Sequence, residues 1–377
     1  MKIAVWKETR GDERRVAATP DTVKKFIDLG FRVAVEAGAG LNSSIPDAAY
    51  LDAGATIAKS ARDAASGADI ILKVSRPTAK ERPNLPKGVI LVAILAPHAD
   101  AESIKAYARG GVTAFAMELM PRITRAQSMD VLSSQSNLAG YKAVLDAAGV
   151  YGRVFPMMMT AAGTLAPAKV MVMGVGVAGL QAIATARRLG AIVSATDVRM
   201  ATKEQVESLG AKFVMVEDDE AREAETAGGY AKEMSKAYQK KQAALIGETI
   251  QKQDIVITTA LIPGRPAPVL ITKEMVKTMR PGSVIVDLAV EMGGNCELSK
   301  PGEVVDAGGV KIVGYLNVPS RLAADASALY AKNLLNFVTM LVDAEKKEIA
   351  IDWDDEILKA ITLARGGKIV HPNYGGK

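Results

Sequence analysis

From Ala168 to Met173 the chain runs apolar for the length of one strand, then reads Gly174-x-Gly176-x-x-Gly179, and a helix-like segment follows at once, Leu180 to Leu189. A strand, a glycine turn and a helix in that order are the context a dinucleotide fingerprint requires. Gly174 makes the tight turn, Gly176 lets a pyrophosphate approach the backbone, and Gly179 lets the helix lie close to its strand. The pyrophosphate then meets the unpaired N–H groups of the first helical turn, at Val177, Ala178 and Gly179, where the helix dipole favours an anion. The other reading of the same glycines is a turn in an α/β sheet that binds nothing.

The next strand bears on that choice. Ile192 to Thr196 is apolar enough to be buried and runs into Asp197, which lies 18 residues past Gly179, close to the spacing of about 20 expected for a ribose-binding carboxylate. A carboxylate there accepts from both hydroxyls of an adenosine ribose and repels a 2′-phosphate, which argues for NAD(H) over NADP(H). Arg199, two residues on across Val198, pulls the other way, because a neighbouring guanidinium offsets that repulsion.

At 377 residues the chain is long enough for two domains, each with its own core. Some 49% of the residues are apolar but only 5% are aromatic, a composition suited to buried parallel strands covered by helices. The net charge of +5 comes from 47 basic and 42 acidic residues spread along the chain, with no polybasic arm, so nucleic-acid binding is disfavoured. Cys296 is the one cysteine, which excludes an intrachain disulfide and a cysteine-built zinc site. With His98 and His371 as the only histidines, metal catalysis and Ser-His chemistry are poorly supported, and no metal site is expected. No apolar run approaches the length of about 18 residues that a membrane span needs, and the N-terminus has strand character, so a soluble, intracellular chain is expected.

Strands at Lys2 to Trp6, Phe31 to Val35, Thr56 to Ala58, Asp69 to Val74, Val89 to Leu95 and Val112 to Glu118 alternate with helices near Ala48, Ala61 and Ile104. Thr19-Pro20 supplies an N-cap and a proline at the first helical position of a stripe carrying Val23, Phe26, Ile27 and Leu29. A second series follows a long helix at Asn137 to Ala148: the fingerprint strand, Val193 to Asp197, Lys212 to Val216, Asp254 to Thr259, Ser283 to Leu288 and Val310 to Gly314. The expected fold is α/β, with two Rossmann-like domains of mostly parallel sheet joined by long helices across a cleft. Residues 1–133 with 325–377 form the first, discontinuous domain, and 134–324 the nucleotide domain; a last long helix, about Ser327 to Val342, returns the chain. The acidic, glycine-tipped stretch Glu217 to Gly229 reads as a mobile excursion.

Polar residues gather at strand ends, the edge where open α/β sheets bind ligands. Thr258 to Gly264, including Thr259, Ala260 and Leu261, either lies over a cofactor or is a proline-containing connection. Asp287 to Asn295, with Glu291 and two glycines, is either a ligand contact or a capped turn. Arg122, Gln127, Asp130 and Ser133 precede the long helix at the domain junction; they are a solvated helix start or one wall of a ligand cleft. Arg15 and Lys73 are isolated cations able to hold a substrate carboxylate, although a surface charge is the commoner meaning of each. His98 reads as a loop histidine and Cys296 as a bystander.

Three motifs resemble a known family: Pro121 to Asp130, Thr226 to Met234 and Thr258 to Pro268 are similar to the alpha subunit of proton-translocating, Si-specific NAD(P) transhydrogenase, in the form where its peripheral NAD(H)-binding component is a separate polypeptide. The likeness covers essentially the whole chain and implies a fold shared with alanine dehydrogenase. It implies hydride exchange between NAD(H) held here and NADP(H) on a partner subunit, linked to proton movement through a membrane-spanning proton-channel subunit. It further implies a homodimer, peripheral to the cytoplasmic membrane through its partners. By the same resemblance Arg122, Gln127, Asp130 and Ser133 surround the nicotinamide and its ribose, and Gly229 and Tyr230 sit on a loop that closes over the nucleotide.

An alanine dehydrogenase is the rival, since Arg15 and Lys73 resemble that family's substrate contacts. Against it, Ala96 falls where that family has its catalytic histidine, with His98 displaced by two, and Glu291 stands where an aspartate is usual. A nucleotide-binding regulatory module without turnover is the third reading.

Overall fold

Once past Lys2, the run Lys2–Val5 is fully buried and forms β1. The chain then alternates helix and strand: α1 (Pro20–Asp28), β2 (Arg32–Glu36), α2 (Asp47–Asp52), β3 (Thr56–Ala58), α3 (Ala61–Ala65), β4 (Ile70–Ser75), β5 (Ile90–Ile94), α4 (Ala101–Arg109), β6 (Thr113–Ala116) and α5 (Val131–Val150). The computed structural model describes residues 1–216, 235–262 and 264–375. By their contacts the residues divide into two units, 1–135 with 319–377 and 136–318.

In the first unit the sheet order is β19-β18-β6-β5-β4-β1-β2-β3. From β3 to β6 every pairing is parallel; β18 (Thr362–Arg365) joins β6 antiparallel and β19 (Lys368–Ile369) closes the edge. Side chains alternate across it. Ile3, Val5, Leu72 and Val92 face α1 and α10 (Ala323–Met340), meeting Val23, Phe26, Leu334 and Phe337. Ala4, Ile71, Leu91 and Ala93 face α3 and α4, meeting Ala64, Ile104 and Tyr107. Thr19 caps α1 in a capping box with Thr22, and Pro20 opens the helix, an arrangement whose loss costs about 1 kcal/mol.

In the second unit a hairpin, β7 (Met158–Thr160) with β8 (Gly163–Leu165), precedes the fingerprint strand β9 (Lys169–Met173). There follow α6 (Val177–Arg188), β10 (Ile192–Thr196), α7 (Lys203–Ser208), β11 (Lys212–Phe213), α8 (Lys236–Ile250), β12 (Ile255–Thr258), α9 (Lys273–Thr278), β13 (Val284–Asp287), β14 (Val304–Ala307) and β15 (Val310–Val313). The order β11-β10-β9-β12-β13-β15-β14 reverses between β9 and β12, the doubly wound pattern. Val170, Val172, Ile255 and Ile257 pack under Ala143, Val144, Ala182 and Ile183, while Met171, Met173, Val256 and Ile285 pack over Ile246, Ile250 and Val276. Covering both faces is why these strands read as continuous apolar runs.

Several boundaries differ from the sequence reading. The helix expected at Asn137 begins at Val131, because Asp130 accepts from the Ser133 backbone N–H and caps it six residues earlier. Strands β14, β18 and β19, the hairpin β7–β8 and the small hairpin of β16 (Val342–Asp343) with β17 (Glu348–Ile349) are absent from that reading, and Lys212 to Val216 shrinks to two residues. The two further hairpins within the large sheets turn on Gly-Gly pairs, 308–309 and 366–367, all four glycines at positive φ, as a two-residue turn between antiparallel strands requires. One strand of each, β14 and β19, is a short edge segment with weak apolar patterning, while β15 and β18 lie inside their sheets. The return helix spans Ala323–Met340, close to the expected Ser327 to Val342.

Candidate functional site

In the second unit, β9 ends at Met173 and Gly174 turns the chain with φ of +99°. A Cβ on Gly179 would lie 1.9 Å from the Gly174 carbonyl oxygen, and one on Gly140 of α5 would lie 2.0 Å from that of Ala178, so α6 is held against both neighbours by backbone contact. Gly176 is the reverse case: nothing stands within 4 Å of the Cβ it lacks. It is the N-cap residue of α6, and no side chain caps the helix. The first turn of α6 therefore starts uncapped, at the exposed Val177 and beside the open space at Gly176, an arrangement that fits a pyrophosphate.

Asp197 follows β10 and is held tightly. Its Oδ2 accepts from the Val175 N–H at 2.7 Å and from Arg199 Nη2 at 2.8 Å; its Oδ1 accepts from Arg199 N and Nε, each at 2.9 Å. Arg199 Nη2 also donates to the Val175 carbonyl. Both arguments drawn from the sequence thus meet in one ion pair: the carboxylate stands at the strand end, and the guanidinium two residues on neutralises it. Val198 packs with Met200 and Tyr238. Gln242, which the sequence reading passed over, is buried beside this group, donating to Thr196 Oγ1 and accepting from Val216 N. Its signal was a polar residue on the inner face of α8.

Across the reversal from Gly174, Thr259 extends β12 by donating its N–H to the Met173 carbonyl, and its hydroxyl donates to Gly174 O at 2.9 Å. Ala260 is gripped by Asn295, whose Oδ1 accepts the Ala260 N–H while Nδ2 donates to the carbonyls of Ala260 and Pro268. Leu261 is exposed. Asp287 is fully engaged within the turn, accepting from Thr258 Oγ1, the N–H groups of Ala289, Asn295 and Cys296, and Ser299 Oγ. It serves as the capped turn, and the sequence missed that Asn295 is the residue it supports. Burial raises the Cys296 thiol above its usual range.

In the first unit, Thr124–Met129 is a 3₁₀ segment that buries Ala126 and Met129 and turns Gln127 outward. Arg122 is exposed at its start. Asp130 closes it, Oδ1 accepting from Ser133 N at 2.9 Å and Oδ2 from Ser133 Oγ at 2.5 Å. Arg122, Gln127 and Asp130 thus precede α5, and Ser133 lies in its first turn. Gly229 and Tyr230, with the expected Glu217 to Gly229 excursion, lie outside the described residues.

Arg15 and Lys73 are not surface charges, contrary to the commoner meaning of each. Arg15 is 6% exposed, bidentate on Glu13 at 2.7 and 2.8 Å and bonded to Gln135 Oε1. Lys73 is 1% exposed, 3.3 Å from Glu8 and 3.1 Å from Glu81. Burial pushes the Glu8 carboxyl up to about 7, against the opposing pull of Lys73. Ala96, at φ of +46°, and Leu95 donate their backbone N–H groups to Glu118, whose carboxyl burial raises to about 6. His98 lies in the following loop with Nε2 2.7 Å from the Tyr374 hydroxyl. Glu291 is exposed and accepts from the Asn317 N–H.

A doubly wound sheet with a glycine fingerprint and an uncapped helix at its reversal places the chain in the class of dinucleotide-binding α/β proteins. It belongs to the alanine dehydrogenase/PNT family: the N-terminal domain model matches residues 4–139 and the C-terminal domain model residues 143–372. It is 59% identical to the first portion of NAD(P) transhydrogenase subunit alpha of Rhodospirillum rubrum, over the whole of both chains. The crystal structure of transhydrogenase from Sinorhizobium meliloti superposes with a TM-score of 0.89 at 58% identity, covering 98% of this chain and all of that one. An L-alanine dehydrogenase structure gives 0.82 at 27% identity, covering 99% and 98%.

Proposed function

We propose that this chain is the NAD(H)-binding subunit of a proton-translocating NAD(P) transhydrogenase. Hydride passes directly between NAD(H) held here and NADP(H) held on a partner subunit, and a membrane-spanning subunit couples that transfer to proton movement. The observation that carries the choice over an amino-acid dehydrogenase is Ala96: a methyl group stands where the resemblance calls for a proton-carrying histidine, and His98 is engaged with Tyr374 instead. Oxidation of an amino acid needs such a proton carrier; exchange of hydride between two nicotinamides does not.

Bound NADH supplies the hydride from its nicotinamide ring. The chain's own part is to place that ring within roughly 3–3.5 Å of its acceptor and to keep water away. The N–H groups of Val177, Ala178 and Gly179 receive the pyrophosphate, with Gly174 and Gly176 leaving it room. Asp197, Val198 and Arg199 take the adenosine ribose, and Thr259, Ala260 and Leu261 border the dinucleotide at the sheet reversal. Arg122, Gln127 and the Asp130–Ser133 pair orient the nicotinamide and its ribose.

The hairpin β7–β8 supports a homodimer, because Met157, Met158, Met159 and Leu165 are all exposed and adjacent, a patch suited to a second copy. Among the described residues no helix is long and apolar enough to cross a membrane, in keeping with a cytoplasmic subunit that reaches the membrane through its partners.

Asp130→Asn is expected to leave NADH affinity within about twofold and to slow hydride transfer roughly a hundredfold, measured with NADH and an acetylpyridine analogue of NAD⁺ in the presence of the NADP(H)-binding partner. Pyruvate- and ammonia-dependent oxidation of NADH by the chain alone would overturn the assignment.

A further inference from the structure

The segment that carries Asp130 is tied down from outside itself. Asn333, on α10 and only 7% exposed, donates from Nδ2 to the Ser128 carbonyl at 2.8 Å and accepts from Ser134 Oγ on its Oδ1 at 2.7 Å. One side-chain amide therefore bridges the last turn of the 3₁₀ segment and the first turn of α5, and Asp130 with Ser133 lies between its two anchor points. One helical turn further along α10, Asn336 donates to the same Ser128 carbonyl at 3.0 Å, but it is exposed and does not reach Ser134. Ser134 is held in turn by Gln135 Nε2, and Gln135 also engages Arg15 and the Ala326 carbonyl. Met129, the residue between Ser128 and Asp130, is buried at 4% exposure, so the segment cannot shift as a rigid piece without disturbing the core.

We infer that Asn333 is a positioning residue for hydride transfer: its amide sets the spacing between Ser128 and Ser134 and thereby the direction in which Asp130 presents its carboxylate to the nicotinamide side of the dinucleotide. This rests on the role proposed for Asp130. The physical reason is geometric. Asp130 is satisfied locally by Ser133, a cap that is compatible with several entry angles of the preceding chain. The Asn333 bridge ties the segment before Asp130 to the helix turn after it, and so selects among them. Both partners of Asn333 keep a second hydrogen bond without it, Ser128 O from Asn336 and Ser134 Oγ to the Val131 carbonyl, so its loss leaves no orphaned polar group and the fold survives. What is lost is the fixed orientation, and displacement of a reacting group by a fraction of an ångström is felt in the rate rather than in binding.

Three variants test this beside Asp130→Asn, in the full chain with its NADP(H)-binding partner, NADH and the acetylpyridine analogue. Asn333→Ala should lower kcat roughly ten- to a hundredfold while NADH affinity changes less than about twofold, and Asn336→Ala should stay within about twofold of wild type in both. Asn333→Asp keeps the acceptor for Ser134 but points a carboxylate at the Ser128 carbonyl. Protonation restores a donor there, and burial raises the pKa at which it occurs, so its rate relative to wild type should recover as pH falls from about 8 toward about 5.5. A structural role alone predicts no such recovery. The inference is overturned if Asn333→Ala turns over normally while Asp130→Asn is slow, if its rate falls only in step with NADH affinity, or if the Asn333→Asp ratio is flat with pH. Should Asp130→Asn itself transfer hydride at the wild-type rate, the role assigned to Asp130 fails first, and this result is separable from the others.

Discussion

Each of the two large sheets reverses its strand order at one gap, between β9 and β12 in the second unit and between β1 and β4 in the first, and the gaps are furnished in opposite ways. Doubly wound sheets offer a crevice at such a point, beyond the carboxyl ends of the strands. In the second unit the chain leaves the helix side of it open: Gly174 turns beneath the Thr259 hydroxyl, Gly176 has no neighbour where its Cβ would be, and α6 starts without a cap. In the first unit the chain fills it. Glu8 follows β1 and accepts from Val74 N, and Lys73 of β4 reaches back to the Lys7 carbonyl, Glu8 and Glu81. Ser75 connects this group to Glu13 and so to Arg15. Topology decides where a crevice falls, and side-chain size and charge decide whether a ligand or the chain itself occupies it.

The contrast can be broken at either gap. The largest effect on ligand binding is expected from Gly179→Ala, where the new Cβ meets the Gly174 carbonyl at 1.9 Å; overpacking of about 1–3 kcal/mol at the turn should weaken NADH binding up to roughly a hundredfold in a fluorescence titration. The same affinity as wild type would mean that the glycine turn does not set the binding edge.

Lys73→Met removes the buried cation between two carboxylates and should cost about 3–5 kcal/mol in denaturant unfolding, while the folded protein keeps its NADH affinity. A large loss of affinity with little loss of stability would instead make the first gap a ligand site.

A smaller effect follows from charge balance. Glu8, Glu13 and Glu81 gather around Arg15 and Lys73, and Glu8, buried, has its carboxyl pushed up to about 7. An acid with a folded pKa above its unfolded value near 4.5 holds its proton more tightly when folded. Its contribution is complete at acid pH and is lost as pH rises through about 7, with a slope of at most about 1.4 kcal/mol per pH unit. Melting temperatures between about pH 4.5 and about pH 8 should show this slope in the wild type and a flatter one in Glu8→Gln. The smallest effect is at Asp197: Arg199→Ala uncovers the carboxylate and should raise the preference for NADH over NADPH a few-fold, roughly three to five times, in competitive binding. An unchanged ratio would show that the pair does not read the 2′ position.

Much of this was legible in the order of residues. The glycine fingerprint, the acid at position 197 and the alternation of apolar runs each reflect local geometry, since a strand, a turn and a helix cap depend on residues a few positions apart. The grouping of Arg122, Gln127, Asp130 and Ser133 rests likewise on closeness in the chain, and Asp130 and Ser133 are hydrogen-bonded. Asn333 and Asn295 left no such mark, because an amide on a helix or after a glycine pair looks like any surface residue until its partners, some 205 and 35 positions away, are brought to it.

Burial of Arg15 and Lys73 is of the same kind. Taken alone each is a cation in a loop or near a strand end, and only the return of α10, with Tyr330 donating to the Lys73 carbonyl, encloses them. The amino-acid order by itself determined the class of fold and the edge proposed for a dinucleotide, since both follow from short-range periodicity and backbone freedom. Which charges face one another in the interior, and which distant amide holds each segment, was decided by tertiary structure, because hydrogen bonding and desolvation act through space and not along the chain.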